Sequence, residues 1–310
     1  MEAAAVLYVV AIAAVAQHSG WHYLLFPALA ALSADVLTRP WGKWASQPGR
    51  VIITPTIGAG IGTMFARQFG YGVVAVCVVT ALCLILLFAL KSNIAPTIAA
   101  GMLPLVLDIT SGRYPILVMV GLSALIIVFL PWRWCYRNRY CAVLEDATDG
   151  IDDVLETPPV GYRWVVPFAL FVVLMALCAT AFGLRLLLIP PLVVIAYEMF
   201  SNPTSCPWAR KPVAFPIACF LTSSVGCLAV SLLGIGGLAA GCSMTAGIMI
   251  LRLLQIHMPP ALAIGILPLI INSPGLKYPV AVTVGTVALT LSFLIYRRWC
   301  RHRPLAETMS

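Results

Sequence analysis

Along its length the chain is a succession of apolar runs separated by short polar connections, without the strict alternation that marks membrane strands. Twelve runs fall near 3–17, 22–38, 50–66, 72–90, 94–110 and 114–131, then near 163–181, 185–200, 213–233, 236–252, 258–273 and 278–296. In lipid every backbone polar group needs an internal partner, and a helix meets that demand within one segment. The pattern therefore predicts an all-α polytopic membrane protein. The second and fifth runs of each six stand apart from the rest. They open at or beside prolines (Pro27, Pro190-Pro191, Pro96, Pro259-Pro260), and the fifth carries another at Pro104 or Pro268. Proline suits a first helical turn and breaks or kinks an interior one. These segments, shorter than the roughly 20 residues of a full crossing, are expected to be tilted, broken or re-entrant.

Six and six is a repeat. A shift of 164 residues lays Trp44-Ala45 on Trp208-Ala209, Gly62 on Gly226, Gly70 on Gly234, Gly101 on Gly265, Leu103-Pro104-Leu105 on Leu267-Pro268-Leu269 and Tyr114-Pro115 on Tyr278-Pro279. One residue of slip earlier in the chain adds Pro27 on Pro190, Asp35 on Glu198 and Pro40 on Pro203. The expected organisation is a first membrane repeat at 1–135, a cytoplasmic polar linker at 136–160, a second repeat at 161–303 and a cytoplasmic tail at 304–310. The linker carries Glu145, Asp146, Asp149, Asp152, Asp153 and Glu156. The run Ala3 to Gln17 follows Met1-Glu2 with no basic leader or small-residue cleavage site, so it is expected to stay as the first span.

Composition agrees with the pattern: 61% apolar and 10% charged residues, with a mean hydropathy of +0.99, lie outside the range of soluble domains. The net charge of +8 is spread over short connections, which argues for orientation in a membrane and against nucleic acid. With six crossings per half, one side collects Arg39, Lys43, Arg50, Lys91, Arg133, Arg137, Arg139, Arg163, Arg210, Lys211, Arg252, Arg297, Arg298, Arg301 and Arg303. The other keeps Arg67, Arg113, Arg185 and Lys277. Both termini are then cytoplasmic, and an even number of crossings makes the repeats parallel. The same holds if each second and fifth segment is re-entrant and four crossings per half remain. The expected location is a bacterial inner (plasma) membrane.

Three of the eleven acidic residues, Asp35, Asp108 and Glu198, sit in apolar runs, where an ionisable group is expensive and a functional suspect. Asp35 and Glu198 are repeat equivalents, and Asp108 answers to Asn272. The plain alternative is that they anchor segment ends at the interface. A second constellation is Gln255-Ile256-His257-Met258-Pro259-Pro260, matched by Lys91-Ser92-Asn93-Ile94-Ala95-Pro96. A polar residue before a proline-led helix offers free N–H groups and the positive end of a helix dipole to an anion. His257 adds a donor or a proton. The plain alternative is a helix start at headgroup level with His257 in water. Gly58, Gly60 and Gly62 read as packing residues. The eight tryptophans fall at segment ends and read as an aromatic belt. The cysteines inside apolar runs read as small hydrophobes, and no order of nucleophile, base and acid stands out.

The stretch Trp44-Ala45-Ser46-Gln47-Pro48-Gly49-Arg50, its counterpart Cys206-Pro207-Trp208-Ala209-Arg210-Lys211-Pro212, and Met258-Pro259-Pro260-Ala261-Leu262-Ala263 together resemble the two signatures of the HPP integral membrane family. Members of that family resemble one half of this chain, and some are implicated in nitrite transport. The family's histidine directly precedes the two prolines; here Met258 holds that place and His257 stands one residue earlier.

The expectation is a transporter of a small solute, an anion, coupled to a proton or cation. Its site lies between the repeats and is lined by Asp35, Glu198, Asp108, Asn272, His257, Asn93, Pro96, Pro259 and Pro260. No catalytic residue, metal or cofactor is called for. The expected partners are the lipid bilayer and a small-molecule or ion substrate, with a homo-oligomer or partner protein left open. Two rivals stand beside this reading. One is an enzyme on a lipid or polyprenyl phosphate held by Arg39, Lys43, Arg210 and Lys211. The other is a noncatalytic subunit docking through the 136–160 linker.

Overall fold

The computed structural model describes residues 1–42, 44–92, 94–140, 159, 161–271 and 275–301. Among these the chain is all-helical, with twelve α-helices. The first six are α1 (Glu2–Ser19), α2 (Pro27–Thr38), α3 (Pro48–Phe69), α4 (Val73–Ala89), α5 (Pro96–Leu107) and α6 (Arg113–Tyr140). The second six are α7 (Val165–Ala181), α8 (Pro190–Ser201), α9 (Ala214–Leu233), α10 (Gly237–Leu253), α11 (Pro259–Ile266) and α12 (Lys277–Arg301). Helix α6 runs past the expected boundary at 135. Most of the expected linker and the whole tail lie outside the described residues.

The second and fifth runs form helices shorter than the runs themselves. The runs beginning at 22 and 185 open as 3-10 turns, His22–Leu24 and Arg185–Leu188. Extended Phe26 and Ile189 then restart the chain at the prolines that lead α2 and α8. The interior proline acts differently in the two halves. Helix α5 continues through Pro104, whereas α11 ends at Ile266 and passes into a 3-10 turn at Leu267–Leu269.

A proline N–H is missing in both places, so the carbonyl four residues earlier loses its helical donor. The same device repairs both. Tyr114 Oη donates to Ala100 O at 3.0 Å and Tyr278 Oη donates to Ile264 O at 2.6 Å. Each acceptor is the orphaned carbonyl, and each tyrosine is fully buried.

Backbone features recur at the sequence shift. Left-handed residues end α1 and follow α7 at Gly20 and Gly183, and end α3 and α9 at Gly70 and Gly234. Non-glycine residues take the same conformation after α4 and α10, Lys91 at φ 47° and Gln255 at φ 51°. There Ser92 N closes on Leu87 O at 2.9 Å and Ile256 N on Leu251 O at 3.0 Å, a helix stop that turns the chain at once toward the next helix. Glycines set the close crossings. A Cβ on Gly62 would run into the Gly101 carbonyl, and one on Gly226 into the Gly265 carbonyl. Gly60, one step round the helix, meets nothing.

The two halves pack on each other through equivalent pairs. Helix α1 lies on α10 and α7 on α4, while α2 lies on α11 and α8 on α5. Like ends gather together. At one end Arg252 forks onto Glu2, with Nη2 to Oε2 at 2.7 Å, and Lys211 Nζ donates to Leu254 O and Gln255 O. Arg50 donates to Lys91 O and Phe88 stacks on Trp164 at that same end. At the other end Arg185 pairs with Asp108 and lies 5.3 Å over the Tyr71 ring. Burial pushes the Tyr71 phenol up to about 12, with Arg185 opposing it.

Four helices are long and apolar enough to cross a membrane: Glu2–Ser19, Arg113–Cys135, Ala214–Leu233 and Lys277–Cys300. Helices α2, α5 and α8, of 12 residues each, reach about 18 Å at 1.5 Å per residue, well short of a hydrocarbon core of about 30 Å.

Replacing the proline-repair donor tests this account. Tyr278→Phe should lower unfolding stability in detergent by about 1–3 kcal/mol, the penalty of an unsatisfied buried carbonyl. Tyr162→Phe, at a residue 75% exposed, should leave the thermal midpoint unchanged.

Candidate functional site

Because α2 and α8 stop where α5 and α11 start, four helix ends meet inside the molecule around a cavity of about 30 Å³. A water needs about 10–15 Å³ of such space, so the cavity holds one or two waters or a small ion. Its wall takes Ala31 and Asp35 from α2, Val194 and Glu198 from α8, Pro96 from α5, and Pro259 and Pro260 from α11, with Arg39, Trp44, Trp208 and His257 from the connections. Ala31 and Val194, Asp35 and Glu198, Trp44 and Trp208, and Pro96 and Pro260 are repeat equivalents. The cavity therefore sits where the halves exchange.

Of the nine expected residues, six line this cavity: Asp35, Glu198, His257, Pro96, Pro259 and Pro260. Asn93 and Asn272 lie outside the described residues. Asp108 does not join the others, and the expectation for it is corrected. It ends α5 in the left-handed region at φ 53°, with its side chain 59% exposed and paired to Arg185. Twelve helical residues, about 18 Å, separate it from Pro96. Asp and Asn tolerate the left-handed region better than other L residues, which accounts for an Asp here without a ligand.

Asp35 is an acid with its own cation. Arg39, one helical turn on, donates Nη1 to Asp35 Oδ1 at 3.0 Å, the two side chains 9% and 4% exposed. The guanidinium also lies at the C-terminal end of α2, where the helix dipole favours a positive charge. The buried carboxylate of Glu198 faces the same space from α8. Opposite them α5 and α11 open on prolines, which have no N–H, and the next amides donate locally, Thr97 N to Ile94 O at 2.9 Å, Ile98 N to Ala95 O at 3.0 Å and Ala261 N to Met258 O at 3.0 Å, so these helices offer the cavity the positive ends of their dipoles.

The belt reading of the tryptophans is corrected at three of eight positions: Trp164 is buried among Phe88, Phe168 and Tyr197, and two more lie in the cavity wall. Trp21, Trp41, Trp134 and Trp299 are exposed, but Trp44 and Trp208 are buried in the cavity wall. The indole Nε1 of Trp208 is buried and has no hydrogen-bond partner among the described residues. An indole N–H only donates.

Arg39, Trp44 and Trp208 were thus missing from the expected site. The spacing of Asp35 and Arg39, four apart, was the available signal for one, and the repeat of Trp-Ala for the other two. The cations of the phosphate reading are spread over other work. Arg210 holds Thr204 O at 2.9 Å, Lys211 holds Leu254 O and Gln255 O, Arg39 pairs with Asp35, and Lys43 lies outside the described residues. Beside the cavity, burial raises the Cys206 thiol well above its ordinary range, so it stays protonated and a poor nucleophile.

No protein-family model, curated protein or solved structure matches the chain.

The buried pair yields a prediction. Arg39→Met should cost about 3–5 kcal/mol by removing one partner of a buried ion pair, and adding Asp35→Leu should recover most of that loss. Chemical unfolding in detergent measures both; additive losses would contradict a coupled pair.

Proposed function

We propose that this chain is an integral membrane transporter of a small anion, built as two parallel repeats with the substrate held in the cavity between them. The observation that carries the reading is the buried indole N–H of Trp208, a donor with no acceptor among the described residues, on a side chain in the wall of a small cavity. The imidazole of His257 and the Arg39 guanidinium add donors, and the dipole ends of α5 and α11 add positive potential, around the same space. A small anion meets that set, and the volume limits it to a few atoms.

Glu198 and the Asp35–Arg39 pair give the site its coupling chemistry. A carboxylate beside an anion binds best when protonated or when a cation enters with the anion. Transport of the anion is therefore coupled to a proton or a cation.

The repeat geometry supports the topology. Equivalent helix stops, equivalent glycine contacts and equivalent tyrosine repairs recur at 163 or 164 residues, and like ends of the halves lie together. In this reading α2, α5, α8 and α11 enter from one face and stop part-way, and the other helices cross. Arg39, Arg50, Arg210, Lys211 and Arg252 gather at the cavity end, which makes it the cytoplasmic one. The resemblance to the HPP integral membrane family agrees with a duplicated member of that type in a bacterial inner membrane.

Uptake into proteoliposomes tests the reading, with nitrite, formate and chloride offered one at a time. Saturable uptake of at least one is expected. Trp208→Phe should weaken it about tenfold, the value of one hydrogen bond to a charge. Asp35→Asn combined with Glu198→Gln should remove its dependence on pH or on the cation. Wild-type uptake equal to that of empty liposomes, or uptake unchanged in both variants, would refute it.

A further inference from the structure

The pseudo-symmetry fails in one region. Beside the central cavity, between α1, α2, α10 and α11, lies a second cavity of about 560 Å³. Its rim is the Arg252–Glu2 pair, with the Arg252 side chain 71% exposed, so this cavity opens outward. Arg39, His257 and Pro259 line both cavities, which makes the larger one an antechamber of the smaller.

On the equivalent flank, among α7, α8, α4 and α5, the described residues include large aromatics in place of small side chains. Where the open side has Ala5, Ala34 and Arg252, the other has Phe168, Tyr197 and Phe88. Tyr197 packs edge-on against Trp164 at 5.3 Å and against Phe168 at 6.3 Å, and Phe88 stacks on Trp164 at 6.3 Å. Two alanines in one half thus answer to two buried aromatics in the other, each of which covers 150–250 Å² of surface. Among the described residues the repeat carries an aromatic block on one side and a passage on the other.

The passage also has a mixed lining. Apolar Ile248, Leu251 and Leu262 line it together with the Arg252–Glu2 pair, the exposed His257 and Arg39, which is paired to Asp35.

We propose that this one-sided cavity is the vestibule through which a small anion reaches the central cavity, with Arg39 and His257 as the groups that pass it from one to the other. The proposal rests on the transporter reading for its cargo, but the passage itself is testable without transport. The thiol of Leu262→Cys faces the vestibule, and that of Ile98→Cys is its equivalent on the plugged side. An anionic, water-soluble methanethiosulfonate should modify Leu262→Cys at least tenfold faster than Ile98→Cys, read peptide by peptide in a mass spectrometer. Adding Ala34→Tyr, which copies the plug, should slow Leu262→Cys to the Ile98→Cys rate. Ala5→Phe should do the same and stands in where Ala34→Tyr does not fold. Equal rates at the two positions, or a Leu262→Cys rate unmoved by either plug, overturn the vestibule whether or not the protein transports. In proteoliposomes the plugged variant should lose uptake that the wild type has. Full uptake by the plugged variant overturns the route, whereas an inactive wild type counts against the transporter reading and leaves the labelling to decide.

Discussion

Helices that stop inside a membrane-sized body leave amides and carbonyls that water does not reach, and everything else in this protein answers that problem. The first and last turns of a helix have no partners of their own. Where the surroundings are apolar, each unsatisfied group costs several kcal/mol. The chain meets this with four proline-led short helices whose ends are turned toward one another. Where a proline removes a further bond in mid-helix, a tyrosine hydroxyl from the following helix supplies the donor. The cavity is what remains between ends that are each closed by local hydrogen bonds, Arg39 N to Asp35 O and Asn202 N to Glu198 O among them.

The central site follows from that arrangement. Carboxylates fall on the carbonyl-rich ends of α2 and α8, where Arg39 balances one of them. The proline-led ends of α5 and α11 face them with the positive ends of their dipoles. Opposite charges and opposite dipole ends thus share one small space, which keeps the site near neutral until a ligand enters. In the proposed mechanism this balance lets an anion and its coupling ion bind together and neither bind well alone. In the proposed mechanism the departure from symmetry sets the route: aromatic side chains pack one flank, and small side chains leave the other open.

Much of this was legible in the residues. The register of the repeat survives without a gap from the third run onward, and the helices keep it, so the pairing of Asp35 with Glu198 and of Pro96 with Pro260 could be read directly. Other parts resisted for physical reasons. A tryptophan at a segment end suits both a headgroup belt and a buried cavity wall, and only packing distinguishes Trp21 from Trp208. Asp108 has the chemistry of a site residue, but its position at a left-handed helix stop sends it out of the apolar interior. Arg39 counts as a surface charge in any tally of basic loops, although its four-residue spacing from Asp35 already allowed an inward pair. The tyrosines ten residues beyond Pro104 and Pro268 carry a signal that becomes meaningful once the following helix is seen to fold back on the broken turn. The contrast of Ala34 with Tyr197 was visible in the alignment of the halves, yet a difference in side-chain size does not declare a cavity until the helices around it are placed.

The account stands most directly on the two halves facing the same way. Gly49 and Val213 are repeat equivalents at the exposed starts of α3 and α9. Sealed vesicles of single orientation bearing Gly49→Cys or Val213→Cys, treated with an impermeant maleimide from outside and then after opening, give the sidedness of each half. Parallel repeats predict that both thiols react from the same face and neither from the other. Reaction of the two from opposite faces would contradict the arrangement and the site built on it.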